Sequence, residues 1–176
     1  ELPESLGLSV EIKIQFPNVA GVPVGWAHGT GLGGGTTGIA TNFDFTAGPF
    51  TCADFYVGSA AGGFAYDLGY GAPNRSRLRI QCAGPFENRG FVDGTSEWYA
   101  FKVNLLRAKT TGTGSCAGCT AQTNIVLDEI QLFQPPEQGN DPRIMVPGAT
   151  NAVAGWQGGP TAVKDGAWGP VEGLSR

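Results

Sequence analysis

Four cysteines, one histidine and fifteen carboxylates are the side chains of this sequence best suited to chemistry. Cys116 and Cys119 form a C-x-x-C pair inside GSCAGCTAQT, whereas Cys52 and Cys82 lie far apart. Such a pair serves as a redox dithiol, as half of a metal site or as a small disulfide staple. A structural zinc site wants two close pairs, which this spacing does not supply. A thioredoxin-type dithiol places its first cysteine at a helix N-terminus, where the dipole lowers the thiol pKa. Here the flanks TTGTGS and TAQT are loop residues. Two disulfides are therefore expected, Cys52–Cys82 and Cys116–Cys119, and with them an oxidising compartment.

The other chemistry-bearing residues form no motif. His28 opens the glycine loop HGTGLGGGTTG, which lacks the P-loop lysine and is followed by no helical pattern. A serine triad would need His28 as its base, and no G-x-S-x-G occurs. On the strand IVLDEIQLF, Val126, Ile130 and Leu132 are in phase with Asp128. Asp128 is thus expected to face inward near an edge, accepting backbone or Asn104 hydrogen bonds or ligating a structural Ca2+. No other cofactor or metal is expected, and the chain reads as non-catalytic.

These residues must be held by strands. Leu8, Val10, Ile12, Ile14 and Phe16 alternate with Ser9, Glu11, Lys13 and Gln15, the period-2 pattern of one buried and one wet face. Shorter strands are expected over 39–46, 53–58, 63–68 and 77–82, the last with Leu78, Ile80 and Cys82 in phase and the three arginines Arg75, Arg77 and Arg79 on a solvated face. Residues 97–107 and 124–133 are expected to pair as a hairpin across the loop that carries C-x-x-C. No apolar repeat at helical spacing appears, and 29 glycines and 12 prolines punctuate the chain. The expected fold is all-β, an antiparallel β-sandwich of jelly-roll type over residues 1–134.

From residue 135 the texture changes to a Gly/Pro-rich extended arm over 135–176, packing on its own domain or on a neighbouring subunit. Terminal segments of this kind are disordered unless docked. Ile144, Met145, Val146, Trp156 and Trp168 are read as its anchors. Trp26, Tyr66 and Tyr70 are candidate platforms for a sugar. Asn74-Arg75-Ser76 is an N-glycosylation sequon.

A net charge of -4 and a pI near 4.9 argue against a nucleic-acid surface, and no apolar run is long enough to span a bilayer. The numbering opens on Glu1, which fits a cleaved signal peptide as well as a cloning boundary. A secreted, extracellular or cell-surface location is expected.

Two motifs carry a resemblance. The run YAFKVNLLRAKTTGTGSCAGCTAQTNIVLDEIQLFQP and the terminal AWGPVEGLSR resemble a group of secreted bacterial β-sandwich proteins. These share a C-A-G-C loop, an IVLxxI strand and a final W-G-x-[IV], and the group brings no activity to carry over. IVLDEIQLF is also similar to the closing strand of jelly-roll domains of the carbohydrate-binding kind.

The leading expectation is a secreted structural protein that self-assembles into an extracellular filament, sheath or coat. Its N-terminal strand, through Leu8, Val10, Ile12, Ile14 and Phe16, is expected to add to a neighbour's sheet edge. The alternative is a non-catalytic carbohydrate-binding module with glycans as partners. A hydrolase built from carboxylates distant in sequence is the third reading.

Overall fold

A computed structural model describes residues 4–28, 38–48, 51–93, 95–106, 113, 117–139, 141–145 and 152–158. In chain order the strands are β1 (Glu4–Ser5), β2 (Gly7–Gln15), β3 (Ile39–Asn42), β4 (Ala53–Asp54), β5 (Ala61–Leu68) and β6 (Arg75–Ala83). They continue with β7 (Gly90–Phe91), β8 (Trp98–Tyr99), β9 (Lys102–Leu105), β10 (Thr123–Phe133), β11 (Arg143–Met145) and β12 (Val153–Trp156). Among the described residues there is no α-helix, and the class is all-β.

One antiparallel sheet dominates, in the order β11–β10–β2–β6–β5, with β12 joining β11 on the same side of β10. Alternation in β2 becomes burial: Leu8, Val10, Ile12, Ile14 and Phe16 are at most 7% exposed. Opposite them stand Cys82, Ile80 and Leu78 of β6. The strand pair β3–β9 supplies further cover for the cluster through Ile39, Val103 and Leu105, joined by Phe43 just after β3 and Tyr56 just after β4. Each fully buried aliphatic or aromatic side chain contributes about 1.5–3 kcal/mol over leaving it wet.

The opposite face is polar. Arg77 bridges Glu11 at 3.3 Å and Asp67 at 2.9 Å, and Arg79 reaches Asp67 at 3.3 Å. The spacing of Arg75, Arg77 and Arg79 thus gives one face of β6, while Ser76, Leu78, Ile80 and Cys82 are buried on the other.

Three expectations are corrected. β2 is a central strand, hydrogen-bonded to β10 on one side and β6 on the other. Leu8, Val10, Ile12, Ile14 and Phe16 are therefore core residues, with no free backbone to offer a neighbour. The expected 97–107 strand is split into β8 and β9, and β9 pairs with β3 instead of β10. In β10 the register slips between Leu127 and Glu129, which makes Asp128 the extra residue of a bulge. Ile125 and Leu127 before it, and Ile130 and Leu132 after it, lie on the core face opposite Ile14, Ile12, Val10 and Leu8. Val126 and Asp128 are thereby out of phase with Ile130 and Leu132.

Where residues 135–176 are described, they pack on their own chain. β11 and β12 pair with β10 of the same chain, and Pro135 is fully buried.

Candidate functional site

The cysteines do not form the expected Cys52–Cys82 staple: both are free. Cys82 is 4% exposed on the core face of β6, where burial pushes its thiol up to about 11. Cys52 sits in the turn before β4, its Sγ 3.8 Å from Glu97 Oε2. A disulfide requires Cα atoms within about 7 Å and converging Cβ vectors, and these two side chains serve different parts of the fold. Cys119 is disulfide-bonded, while Cys116 lies outside the described residues.

Cys119 helps to close one end of the molecule. Its carbonyl accepts a hydrogen bond from Trp156 Nε1 at 3.3 Å, and Gly25 N donates to Ala117 O at 2.9 Å. Gly118, at φ +79°, packs so closely on Pro23 that a Cβ there would come within 2.3 Å of it. Trp26 sits beneath, 6% exposed, edge-on to Phe16 at 5.3 Å and to Trp156 at 6.5 Å. His28 meets the Tyr66 ring edge-on at 5.2 Å. Trp26 is thus a core aromatic and presents no face to a sugar. The cleft beside it, lined by Trp26, His28, Leu105 and Trp156, holds about 30 Å3, room for roughly one water.

Tyr66 and Tyr70 are also occupied. Tyr66 Oη shares a hydrogen bond with the buried Ser76 Oγ at 2.6 Å, and the Arg77 guanidinium lies 3.9 Å over the Tyr70 ring. Asn74 Nδ2 donates to Phe16 O at 3.0 Å and Ser76 is 0% exposed, so the sequon is packed into the fold.

Asp128 does face a cation, but a side-chain one: Lys13 Nζ is 2.7 Å from Oδ2. The bulge puts this carboxylate beside Lys13. No cluster of three metal-ligating side chains occurs among the described residues. Asp93 is held at about 2 by the hydroxyl and amide donors of Thr95 and Ser96, a turn-stabilising duty.

Burial pushes Tyr56 and Tyr66 up to about 12 from an ordinary 10, against the opposing hydrogen bonds from Ser5 and Ser76. The folded state thus keeps two protons that the unfolded chain surrenders between pH 10 and 12. Stability from this source is complete below pH 10 and disappears as pH rises through about 12. Urea midpoints measured from pH 9 to 12 are expected to fall, and Tyr66→Phe to flatten that decline; an unchanged slope in the variant would contradict the assignment.

A long, largely exposed strand is β5, AGGFAYDL. It pairs with β6 from Ala61↔Ala83 to Leu68↔Ser76 without a bulge, and among the described residues no strand pairs with its other side. Gly69 N donates to Arg75 O at 2.8 Å. Antiparallel alternation from that bond turns residues 61, 63, 65 and 67 toward β6 and leaves the amides and carbonyls of Gly62, Phe64, Tyr66 and Leu68 pointing outward. Phe64 is 39% and Leu68 41% exposed.

Glycines let this edge pack tightly at one end. A Cβ on Gly62 would lie 2.2 Å from Gln81 O, and one on Gly7 2.4 Å from Cys82 O, so the end of β6 is gripped between two bare backbones. At Gly63 the added Cβ meets nothing within 4 Å. A trough of about 320 Å3 opens there, lined by Ser9, Gly63, Phe64, Ala65, Arg79 and Gln81. Sequence reasoning assigned assembly to β2 and did not single out the exposed edge of β5. The available signal was a strand with neither proline nor lysine, in which Phe64, Tyr66 and Leu68 alternate with small residues and one aspartate.

Of the other expected anchors, Ile144 and Met145 on β11 are 57% and 42% exposed. Trp156 packs in cis against the core cluster. Val146 and Trp168 lie outside the described residues, as do residues 29–37 of the glycine loop. Among the described residues, no helix is long and apolar enough to cross a membrane. No protein family, curated protein or solved structure matches this chain.

Proposed function

We propose that this chain is a secreted, non-catalytic structural protein of β-sandwich type whose copies join through the β5 edge into an extracellular filament, sheath or coat. The observation that carries the reading is the outer edge of β5, which no strand among the described residues covers. Sheet proteins blunt such edges with proline, lysine, bulges or a covering segment, because an unpaired strand recruits another chain. β5 has none of the first three, and its one charge, Asp67, is neutralised by Arg77 and Arg79. The exposed Ile144 and Met145 on β11, at the far side of the same sheet, supply a second contact. Two self-complementary contacts on opposite edges generate an open-ended row of subunits. The packing of β3–β9 against the core face of the large sheet supports the sandwich assignment, and the free cysteines leave the compartment resting on the Cys119 disulfide.

Sedimentation velocity tests this. The native protein is expected to sediment as concentration-dependent assemblies, and Phe64→Lys, with unchanged circular dichroism, as nothing larger than a pair of 18.2 kDa subunits held through β11. A native protein that stays monomeric at every concentration defeats the proposal.

The trough between Ser9, Arg79 and Gln81 favours a second reading, a carbohydrate-binding module, through its mixed donors and acceptors. Glycan-array binding abolished by Arg79→Ala would decide for it.

A further inference from the structure

We infer that two copies of this chain join β5 to β5, antiparallel, about a two-fold axis at Ala65, an inference that rests on the edge association proposed above. The outward backbone groups set the register. They belong to Gly62, Phe64, Tyr66 and Leu68, and two antiparallel strands bond fully only when outward residues face outward residues. Centring the axis on Ala65 sets Gly62 opposite Leu68 and Phe64 opposite Tyr66 of the second copy, so all four positions on each strand are used. Moving the axis to Phe64 leaves Leu68 facing residue 60, and moving it to Tyr66 leaves Gly62 facing Tyr70, both beyond β5. A shift of the pairing by one residue sets outward groups against inward ones.

The side chains agree with that register. Phe64, 39% exposed in one copy, comes beside Tyr66 of the other on the core-side face, a cross-strand aromatic pair. On the polar face Asp67 comes opposite Gly63 of the second copy, where the trough is open and Arg79 lines it. Arg79 is 51% exposed and already 3.3 Å from its own Asp67, so each carboxylate meets a second guanidinium across the axis. Asp67 thus fills the one space that small residues leave on this face of β5. Self-complementarity of this kind is what a two-fold contact demands.

Ala65 meets itself on the axis as a non-hydrogen-bonded pair, with Cα atoms about 4.5 Å apart, close enough for a disulfide. Ala65 is exposed, so Ala65→Cys leaves the core untouched. On mild oxidation Ala65→Cys is expected to give a covalent dimer whose linked peptide maps to position 65 in both copies. Gly63→Cys, which faces Asp67 and not itself, is expected to link no more than the native chain. Equal linking by both variants, or none by Ala65→Cys while the native protein still assembles, overturns the two-fold register and leaves edge association standing. A native protein that never self-associates overturns both.

Discussion

Deleting residues 135–176 is expected to abolish a cooperative melt, or to lower its midpoint by at least about 10–20 °C, instead of releasing a stable core domain. The deletion strips β11 and β12 from β10, with their partners at Thr123–Val126 and Glu129–Gln131. It also removes the bonds from Leu127 N to Ala152 O and from Leu132 N to Pro142 O. Val126, 2% exposed, and Thr123, 0% exposed, lose the strand beside them, and Trp26 loses Trp156. Glu4 loses the Gln138 amide at 3.2 Å. Truncating a core tryptophan costs about 3–5 kcal/mol, and Trp156, partly buried, falls at the low end. Added to lost pairing and newly wet apolar surface, this approaches the whole stability of an ordinary domain, about 5–15 kcal/mol. For a chain of this length each kcal/mol moves the midpoint by about 2–4 °C. Calorimetry of the full and shortened chains decides it; a shortened chain melting with the full one would show that these strands contribute nothing.

Phe16→Ala has the second large expected effect. Phe16 is 0% exposed, directly follows β2 and meets Trp26 edge-on at 5.3 Å. Its backbone N–H bonds to Asn74 O at 3.0 Å and stays bonded in the variant, so the loss is one of packing. Removing the ring leaves a cavity beside Trp26 that cannot collapse freely, and about 3–5 kcal/mol is expected. Urea unfolding should show a lower midpoint at constant slope. A loss below about 1 kcal/mol would mean that the end of β2 repacks.

Much of the sheet was legible in the sequence because alternation reports faces. Leu8 to Gln15 of β2, the inward Leu78, Ile80 and Cys82 of β6, and the existence of β10 all follow from it. Alternation does not report neighbours. Nothing local in LSVEIKIQF says whether its backbone bonds face β10, β6 or water, so β2 was assigned to an edge when it lies in the middle. Alternation gives β5 only as a short strand over 63–68, because Gly62 and Gly63 dilute its pattern, yet those glycines let it approach β6 and open the trough. Phase also breaks silently at a bulge: the single extra residue Asp128 moved Val126 off the face that Ile130 and Leu132 share. The cysteine pairing failed for a related reason, since distance in sequence carries no direction for a side chain.

Amide hydrogen exchange along β5, run dilute and then concentrated, tests the proposed edge most directly. The account predicts that the amides of Phe64, Tyr66 and Leu68 exchange rapidly in dilute solution and become protected on concentration, while Gly63, Ala65 and Asp67, bonded to β6, are slow throughout. Outward amides that exchange equally fast at both concentrations would contradict assembly through this edge.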